Sequence, residues 1–135
     1  MSQTNIEKIR QGIDAFNRRD FDAALATLRD DVTWERFLSR TETTAPLVRG
    51  KEELRASWQS QVDALDLRAE PDEFIPIGDD KVIVPMRLVA RGTGSEISLT
   101  ESVTWLWTFD AEGLGASIEA FGSREDGLKA AGLLE

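Results

Sequence analysis

The stretch EISLTESVTWLWTF, residues 96–109, has the pattern of a long β-strand and decides the fold. Side chains in a strand alternate between the two faces of a sheet, so residues two apart share a face. The odd-numbered positions are apolar except for Glu101, and the even-numbered positions are mostly serine and threonine. We therefore predict that the odd face meets helices and any cavity, and that the even face meets solvent or a second subunit.

The segments around this strand predict an antiparallel sheet. Four strands are expected, at residues 66–77, 81–92, 96–109 and 114–121, and the short segments between them have turn composition. Pro71 and Pro76 interrupt the first strand, which favours an edge position or a bulge because proline cannot donate a ladder hydrogen bond.

The first half of the chain has the spacing of helices. In the first helix, apolar residues recur at intervals of three and four: Ile6, Ile9, Ile13 and Phe16. Asp20 is a typical N-cap for a second helix from Phe21 to about Arg29. A strand at 32–38, a hydroxyl-rich loop at 39–50 and a third helix at 51–65 follow, and a helical turn at 124–133 ends the chain. This order predicts one α+β domain over residues 1–135, with helices on one face of a curved sheet.

Composition excludes several functional classes. The net charge is −9, from 16 basic and 25 acidic residues, so the chain repels phosphate backbones and nucleic acid is not an expected partner. The chain contains no cysteine, histidine or tyrosine, which removes thiolate nucleophiles, the commonest metal ligands and phenol acids. We therefore expect no metal and no cofactor. The chain opens without an apolar signal-peptide core and contains no membrane-length apolar run, which predicts a cytoplasmic protein that does not bind membranes.

Five segments of the sequence are similar to one known superfamily. They are AFNRRDFDAALATLRDDVTW (15–34), LVRGKEELRASW (47–58), GDDKVIV (78–84), LWTFDAEG (106–113) and EDGLKAAGL (125–133). Together they resemble the nuclear-transport-factor-2-like superfamily, in particular its bacterial SnoaL-like, or polyketide-cyclase-like, branch. The resemblance covers nearly the whole chain. It implies a cone-shaped, cystatin-like half barrel of curved antiparallel sheet around N-terminal helices, often dimeric through the outer sheet face.

The resemblance leaves the activity open, because the family includes isomerases, cyclases, dehydratases, epoxide hydrolases and proteins that only bind. An acidic residue often follows the last strand in the family, but the matching position here is Ser123. The tyrosine that isomerases carry on the first helix is also missing, and this chain offers Phe16 there. Neither residue can supply the family's acid or phenol.

Three charged residues are the candidate catalytic groups. Glu101 stands on the apolar strand face, where burial disfavours the charged form and suits a carboxyl group to acid–base work. Arg36 shares a face with Trp34 and could pair with Glu101 or bind an anionic ligand group. Glu119 is a weaker candidate, in a strand whose orientation the pattern leaves ambiguous. Each also has a structural explanation: an ion pair with an arginine or contact with water for Glu101, and a surface position for the other two.

Large apolar residues are the candidate walls of a pocket. They are Phe16, Trp34, Trp58, Val103, Trp105 and Phe121. Trp107, nearer the strand end, is interpreted as core. A plain core role also explains the other rings, but four tryptophans in 135 residues suit a planar or polycyclic ligand that stacks on rings.

Two hypotheses of function follow. The first is a homodimeric protein that binds an apolar small molecule in a pocket. If it is also an enzyme, its reaction is cofactor-independent acid–base chemistry of the isomerase, cyclase, dehydratase or epoxide-hydrolase type. The second is a non-catalytic ligand-binding or protein-interaction module with the same fold. A dimer would use the outer sheet face, rich in hydroxyl groups.

Overall fold

The computed structural model describes residues 2–35, 47–92 and 98–132, and within these ranges a curved sheet carries helices on both faces. The helices are α1 (Ser2–Asn17), α2 (Phe21–Leu25), α3 (Lys51–Ala64) and α4 (Arg124–Ala130). The strands are β1 (Leu28–Glu35), β2 (Leu47–Arg49), β3 (Leu65–Pro71), β4 (Ile75–Ile77), β5 (Lys81–Gly92), β6 (Ser98–Phe109) and β7 (Gly115–Phe121). No helix within these ranges combines the length and apolar composition that crossing a membrane requires.

The strands form one sheet in the order β2-β1-β7-β6-β5-β3, and β4 also pairs with β5. The predicted α+β half barrel is confirmed. Its sheet is mixed rather than wholly antiparallel, because β1 runs parallel to β7 while the other neighbours are antiparallel. Sequence pattern identifies strands but not their neighbours, so this long-range pairing was not predicted.

The two prolines of segment 66–77 lie at the edge of the sheet, as predicted. The segment divides into β3 and β4, which pair with successive parts of the same edge of β5. Pro71 ends β3 and Pro76 lies within β4. An edge strand leaves one row of backbone groups outside the ladder, so a missing N–H can be accommodated there.

The second helix is shorter than predicted. Asp20 caps it as expected, accepting a hydrogen bond from the N–H of Ala23 at 3.2 Å, but the helix ends at Leu25 rather than near Arg29. Leu28 then starts β1 and pairs with Gly115 of β7. Strand pairing has overridden the local helical spacing. A short strand, β2, also occupies part of the segment predicted as a loop and pairs with β1.

Gly115 permits close contact between β1, β6 and β7. A Cβ atom at this position would lie 2.8 Å from Cδ2 of Leu28 and 3.2 Å from Cζ3 of Trp107. Both neighbours are buried in the core, so neither has free space to move into. Any larger residue here would separate the two strands that carry Leu28 and Trp107.

The two faces of β6 differ as the alternating pattern predicts. Val103, Trp105 and Trp107 are buried on the concave face, against the helices. The prediction that the even face meets solvent or a second subunit is wrong at Thr104 and Leu106, which are only 2% and 3% exposed.

The helix α4 covers this part of the outer face. Leu106 packs with Ile83 and Leu128 in a second, smaller apolar cluster. Gly127 brings the helix close, because a Cβ atom there would lie 2.7 Å from Cγ2 of Thr104. Among the described residues of β6, Thr100 and Ser102 lie beyond this helix on the outer face and are exposed.

Asp110 organises the turn between β6 and β7. Its Oδ1 atom accepts hydrogen bonds from the backbone N–H groups of Leu114 and Glu112, each at 2.9 Å. Those bonds, from Leu114 first, together with the charge of Arg29, hold the pKa of Asp110 below its ordinary value. A carboxyl group with a lowered folded-state pKa stabilises the fold above its unfolded pKa and loses that contribution as the pH falls.

We therefore expect Asp110→Asn to destabilise the protein at neutral pH and to matter less as the pH falls below about 4, near the ordinary pKa of aspartate. Urea unfolding of both proteins between pH 7 and pH 3 measures this convergence. The control is Asp31→Asn, which removes an exposed carboxylate that pairs with the same Arg29 from outside the turn. Equal pH dependence in the two variants would contradict the role of the turn.

Candidate functional site

An aromatic cavity lies between the concave face of the sheet and the helices α1, α2 and α3. Its volume is about 60 Å³. Five large rings form much of its wall: Phe16, Trp34, Trp58, Trp105 and Trp107. They come from four elements, α1, β1, α3 and β6, and the curvature of the sheet brings them together. Four of them are on the predicted list of wall residues, and the fifth, Trp107, was interpreted as core.

Trp34 is the centre of the ring cluster. Its ring centroid lies 5.0 Å from that of Trp105, 5.5 Å from that of Trp58 and 5.6 Å from that of Trp107. The three interplanar angles lie between 76° and 87°, which is the edge-to-face arrangement that aromatic quadrupoles favour. Trp34 therefore links the rings of β6 to those on the helices.

The helical side of the cavity is closed by a second set of rings. Trp58 of α3 meets Phe16 of α1 edge-on, with centroids 5.5 Å apart, and Phe21 lies 5.7 Å from Trp58. The guanidinium of Arg19 lies over the outer side of Phe16, 5.6 Å from the ring centroid. These contacts hold α1 and α3 at the distance that leaves a gap between them and the sheet.

Few polar groups line the cavity, and none of the described lining side chains carries a charge. Thr27 donates its hydroxyl hydrogen bond to the carbonyl of Ala24 at 2.9 Å. On α3, Gln61 donates to the hydroxyl of Ser57 at 3.4 Å, and both residues are half-buried. The indole N–H of Trp107 is also buried, and it has no hydrogen-bond partner in the described structure.

The edge of the sheet beside the cavity is closed by Asn17. Its amide donates to the carbonyl of Ala69 and accepts from the N–H of the same residue, each at 2.9 Å. Because β3 is an edge strand, these groups would otherwise have no strand partner. Ala69 itself lines the cavity. The end of α1 is thus tied to the sheet at the rim of the site.

The predicted catalytic pair is only partly described. Glu101 pairs in register with Leu88, which lines the cavity, so Glu101 stands on the concave face beside the site. It is half-buried and does not itself line the cavity. Arg36 lies outside the described residues, so its pairing with Glu101 stays a prediction. In the parts of the chain that the structure covers, no group of three or more acidic residues is placed to hold a metal.

The structure places Glu119 and Phe121 away from the cavity, which corrects their assignment to the site. Ile118 of β7 is buried in the main core, so the alternate residues 117, 119 and 121 face outward. Glu119 pairs in register with Leu106 on the outer face, and Phe121 packs against the outer cluster under α4. Both faces of β7 carry apolar residues, because helices cover both, so the alternating pattern had no unique solution.

Two further predicted positions have clear structural roles. Val103 is 1% exposed and belongs to the main core next to the site, but it is not part of the cavity lining. Ser123 is the N-cap of α4 and accepts a hydrogen bond from the N–H of Asp126 at 3.1 Å. The position where the family often has an acid therefore starts a helix here.

Sequence reasoning missed the polar rim on α3. Leu54, Ser57, Trp58 and Gln61 all line the cavity and follow the helical spacing i, i+3, i+4, i+7. Of this face, the predicted wall residues include only Trp58. Reading polar residues at the same helical angle as Trp58 would have found Ser57 and Gln61.

Similar solved structures share this architecture. RV0760c from Mycobacterium tuberculosis, in complex with estradiol-17beta-hemisuccinate, is 18% identical, with a TM-score of 0.77 over 90% of this chain and 95% of its own. TerC, co-crystallised with polyporic acid, is 21% identical, with a TM-score of 0.74 over 96% and 98% of the chains. The epoxide hydrolase/cyclase-like enzyme SalBIII is 19% identical, with a TM-score of 0.73 over 92% and 94%. At such identities the likeness shows the fold and leaves the activity open.

Family assignment rests on sequence as well as on shape. No curated protein matches the sequence significantly. The family model described as the SnoaL-like domain matches residues 9–118, which includes every described residue that lines the cavity. The resemblance inferred from the sequence is confirmed, and the chain belongs to the SnoaL-like domain family.

Proposed function

We propose that this protein binds an apolar small molecule in the aromatic cavity between its N-terminal helices and the sheet. The observation that carries the proposal is the enclosed ring wall, with Trp34 at its centre and uncharged polar groups at its rim. Ligand pockets in proteins have this composition, with mostly apolar and aromatic walls and a few placed polar groups.

The cavity volume sets a condition on binding. About 60 Å³ is well below the roughly 300–1,000 Å³ of pockets that hold drug-sized ligands. A molecule of more than a few atoms therefore requires wall residues to move apart. The rim of α3, at Ser57 and Gln61, is half-buried while the other described lining residues are buried, so we expect entry there.

Planar and polycyclic ligands are the class we favour. Edge-to-face rings present both ring faces and ring edges to a guest, which suits a flat molecule. Two structural relatives were solved with an estradiol derivative and with polyporic acid. They support the proposal by showing that this fold accommodates such molecules in other proteins.

Acid–base catalysis is the second candidate function. The observation that favours it is the position of Glu101 next to the lining residue Leu88 on the concave face. SalBIII, an epoxide hydrolase/cyclase-like enzyme, has the same fold. We rank it below binding, because no charged side chain is part of the described lining. In this case Glu101→Gln would abolish turnover of a bound substrate and leave its affinity unchanged.

Assembly and location complete the proposal. We also propose that the protein forms a homodimer through the part of the outer sheet face that α4 leaves exposed, near Thr100 and Ser102. We further propose that the protein is cytoplasmic. Sedimentation of a 15.0 kDa particle at micromolar concentration would contradict the dimer.

The test of binding uses estradiol as the probe and equilibrium dialysis as the measurement. We expect estradiol to bind the wild-type protein and Ser57→Trp to weaken binding about tenfold or more, because a second large ring at the rim takes up space that the bound ligand needs. The matched control is Ser60→Trp, which places the same residue on an exposed position of the same helix. Equal affinity in all three proteins would place the ligand outside this cavity. Polyporic acid is the second probe, and failure of the wild-type protein to bind either compound would contradict the proposal for this ligand class.

A further inference from the structure

We infer that the ligand carries an uncharged hydrogen-bond acceptor, such as a ketone or lactone carbonyl, that meets the indole N–H of Trp107 at the closed end of the cavity. The inference rests on the proposed function and narrows its ligand class. It begins from a single unusual group. Trp107 is 2% exposed, lines the cavity, and its Nε1 atom has no hydrogen-bond partner in the described structure.

A buried donor without a partner is uncommon and costly. Nearly all buried polar atoms in folded proteins have a hydrogen-bond partner, and each exception calls for an explanation such as a bound water or ligand. A phenylalanine at this position would fill similar space without this cost. The N–H of Trp107 therefore has the properties of a group that is satisfied when the cavity is occupied.

The orientation of the indole supports this reading. The Cε3–Cζ3 edge of Trp107 lies against Gly115, 3.2 to 3.3 Å from where a Cβ atom would be. The N–H group projects from the opposite long edge of the indole, so it points away from the contact between β6 and β7. Phe109 stacks on one side of the ring, with an interplanar angle of 24°, and Trp34 meets it edge-on.

Burial along the cavity indicates which end of the ligand this group meets. Trp107 and Leu28 are 2% and 1% exposed, whereas Ser57 and Gln61 are half-buried. Trp107 thus belongs to the fully buried part of the wall, which we call the closed end, and the polar pair on α3 forms the less buried rim. A ligand that fills the cavity would insert its acceptor first and keep any further polar group near α3.

The acceptor must be uncharged. An anion at the closed end would lose its hydration and gain only one neutral hydrogen-bond donor, which is unfavourable. No cationic side chain is part of the described lining to compensate for this loss. A ligand cation would find no carboxylate there for the same reason. The chemistry that fits is a neutral, mostly apolar molecule with one carbonyl or ether-type oxygen at its leading end.

The test compares two probes of the same shape, acetophenone and α-methylstyrene, which differ by a carbonyl oxygen in place of a methylene group. Binding is followed on ¹⁵N-labelled protein, whose four tryptophans give four indole N–H signals. We expect acetophenone to bind about three- to tenfold more tightly and to move the Trp107 signal downfield, as one neutral hydrogen bond would. The signal is assigned in the wild-type protein through the other protons of the Trp107 side chain and backbone, and independently by its loss in Trp107→Phe.

Variants separate the hydrogen bond from the shape of the ring. Trp107→Phe keeps an aromatic ring without the donor, and it should bind both probes equally. The other three indole N–H signals, read in the same wild-type spectra, are the control and should respond alike to both probes. Equal binding of both probes to wild type, without a selective shift of the Trp107 signal, would overturn the inference and leave the proposed function standing. Failure of both probes to bind would count against both. Since the shift is read in the wild-type protein, the test holds even if Trp107→Phe does not fold.

Discussion

Replacing Trp34 by alanine is expected to lower the free energy of unfolding by about 4 kcal/mol, the scale of large-to-small changes at buried aromatic residues. Trp34 is 8% exposed and touches three other tryptophan rings, with centroids between 5.0 and 5.6 Å away. Its loss removes the contact area of one large side chain and three edge-to-face pairs at once. It also leaves a void at the junction of sheet and helices, which the rigid strands on either side cannot fill.

Urea unfolding followed by circular dichroism measures this change. Tryptophan fluorescence is less suitable as the probe, because the variant lacks one of the four tryptophans that give the signal. Trp34→Phe should cost much less, since it keeps a ring in contact with Trp58 and Trp105. The matched control for position is Phe74→Ala, which removes a half-buried ring at the margin of the same core. A loss at Trp34 no larger than that at Phe74 would show that the ring cluster is not the centre of the core.

The second large effect is expected at Asn17. We expect Asn17→Ala to lower the free energy of unfolding by about 2 to 3 kcal/mol, because it removes both hydrogen bonds to the backbone of Ala69. The N–H and C=O of Ala69 face outward from an edge strand, and Ala69 is only 4% exposed. Without the amide, both groups depend on water that reaches them only if the end of α1 moves away.

Amide exchange at Ala69 is the direct measurement. Its N–H should exchange much faster in Asn17→Ala, while the amides of the central strands β5 and β6 keep the protection of the wild type. The matched control is Asn5→Ala, on the same helix, which removes one hydrogen bond, to the carbonyl of Asp79 at 3.0 Å. If Asn5→Ala and Asn17→Ala had equal effects on amide exchange at Ala69, the hydrogen bonds of Asn17 would not be what protects this residue.

These two positions also bear on the site. Trp34 lines the cavity, and so does Ala69, the residue to which Asn17 is hydrogen-bonded. The groups that stabilise the fold are therefore the groups that a ligand would contact. A pocket built inside the main core has this consequence, because there is no separate scaffold to hold it. We expect ligand binding to raise the thermal stability of the protein, since a ligand that binds only the folded state shifts the equilibrium towards it.

Local sequence pattern was sufficient for most elements. The intervals of three and four in the first helix, the cap at Asp20 and the alternation of residues 96–109 each depend on neighbours in the chain, and the structure contains the elements they predict. The pattern failed where a distant strand intervened. Leu28 has helical spacing from Phe21, but it pairs with Gly115, nearly ninety residues away, and becomes part of β1.

The sequence by itself determined the fold class, the family and the concave face of β6, because strand alternation and helical spacing fix which side chains share a surface. Only the tertiary structure decided which of those surfaces meet. It placed α4 over Thr104 and Leu106, turned Glu119 and Phe121 outward, and brought Trp107 into the wall of the cavity. The physical reason is that β7 and α4 are covered on faces that their own composition leaves ambiguous. The sequence does not distinguish a buried apolar residue from an exposed one until the element that covers it is known.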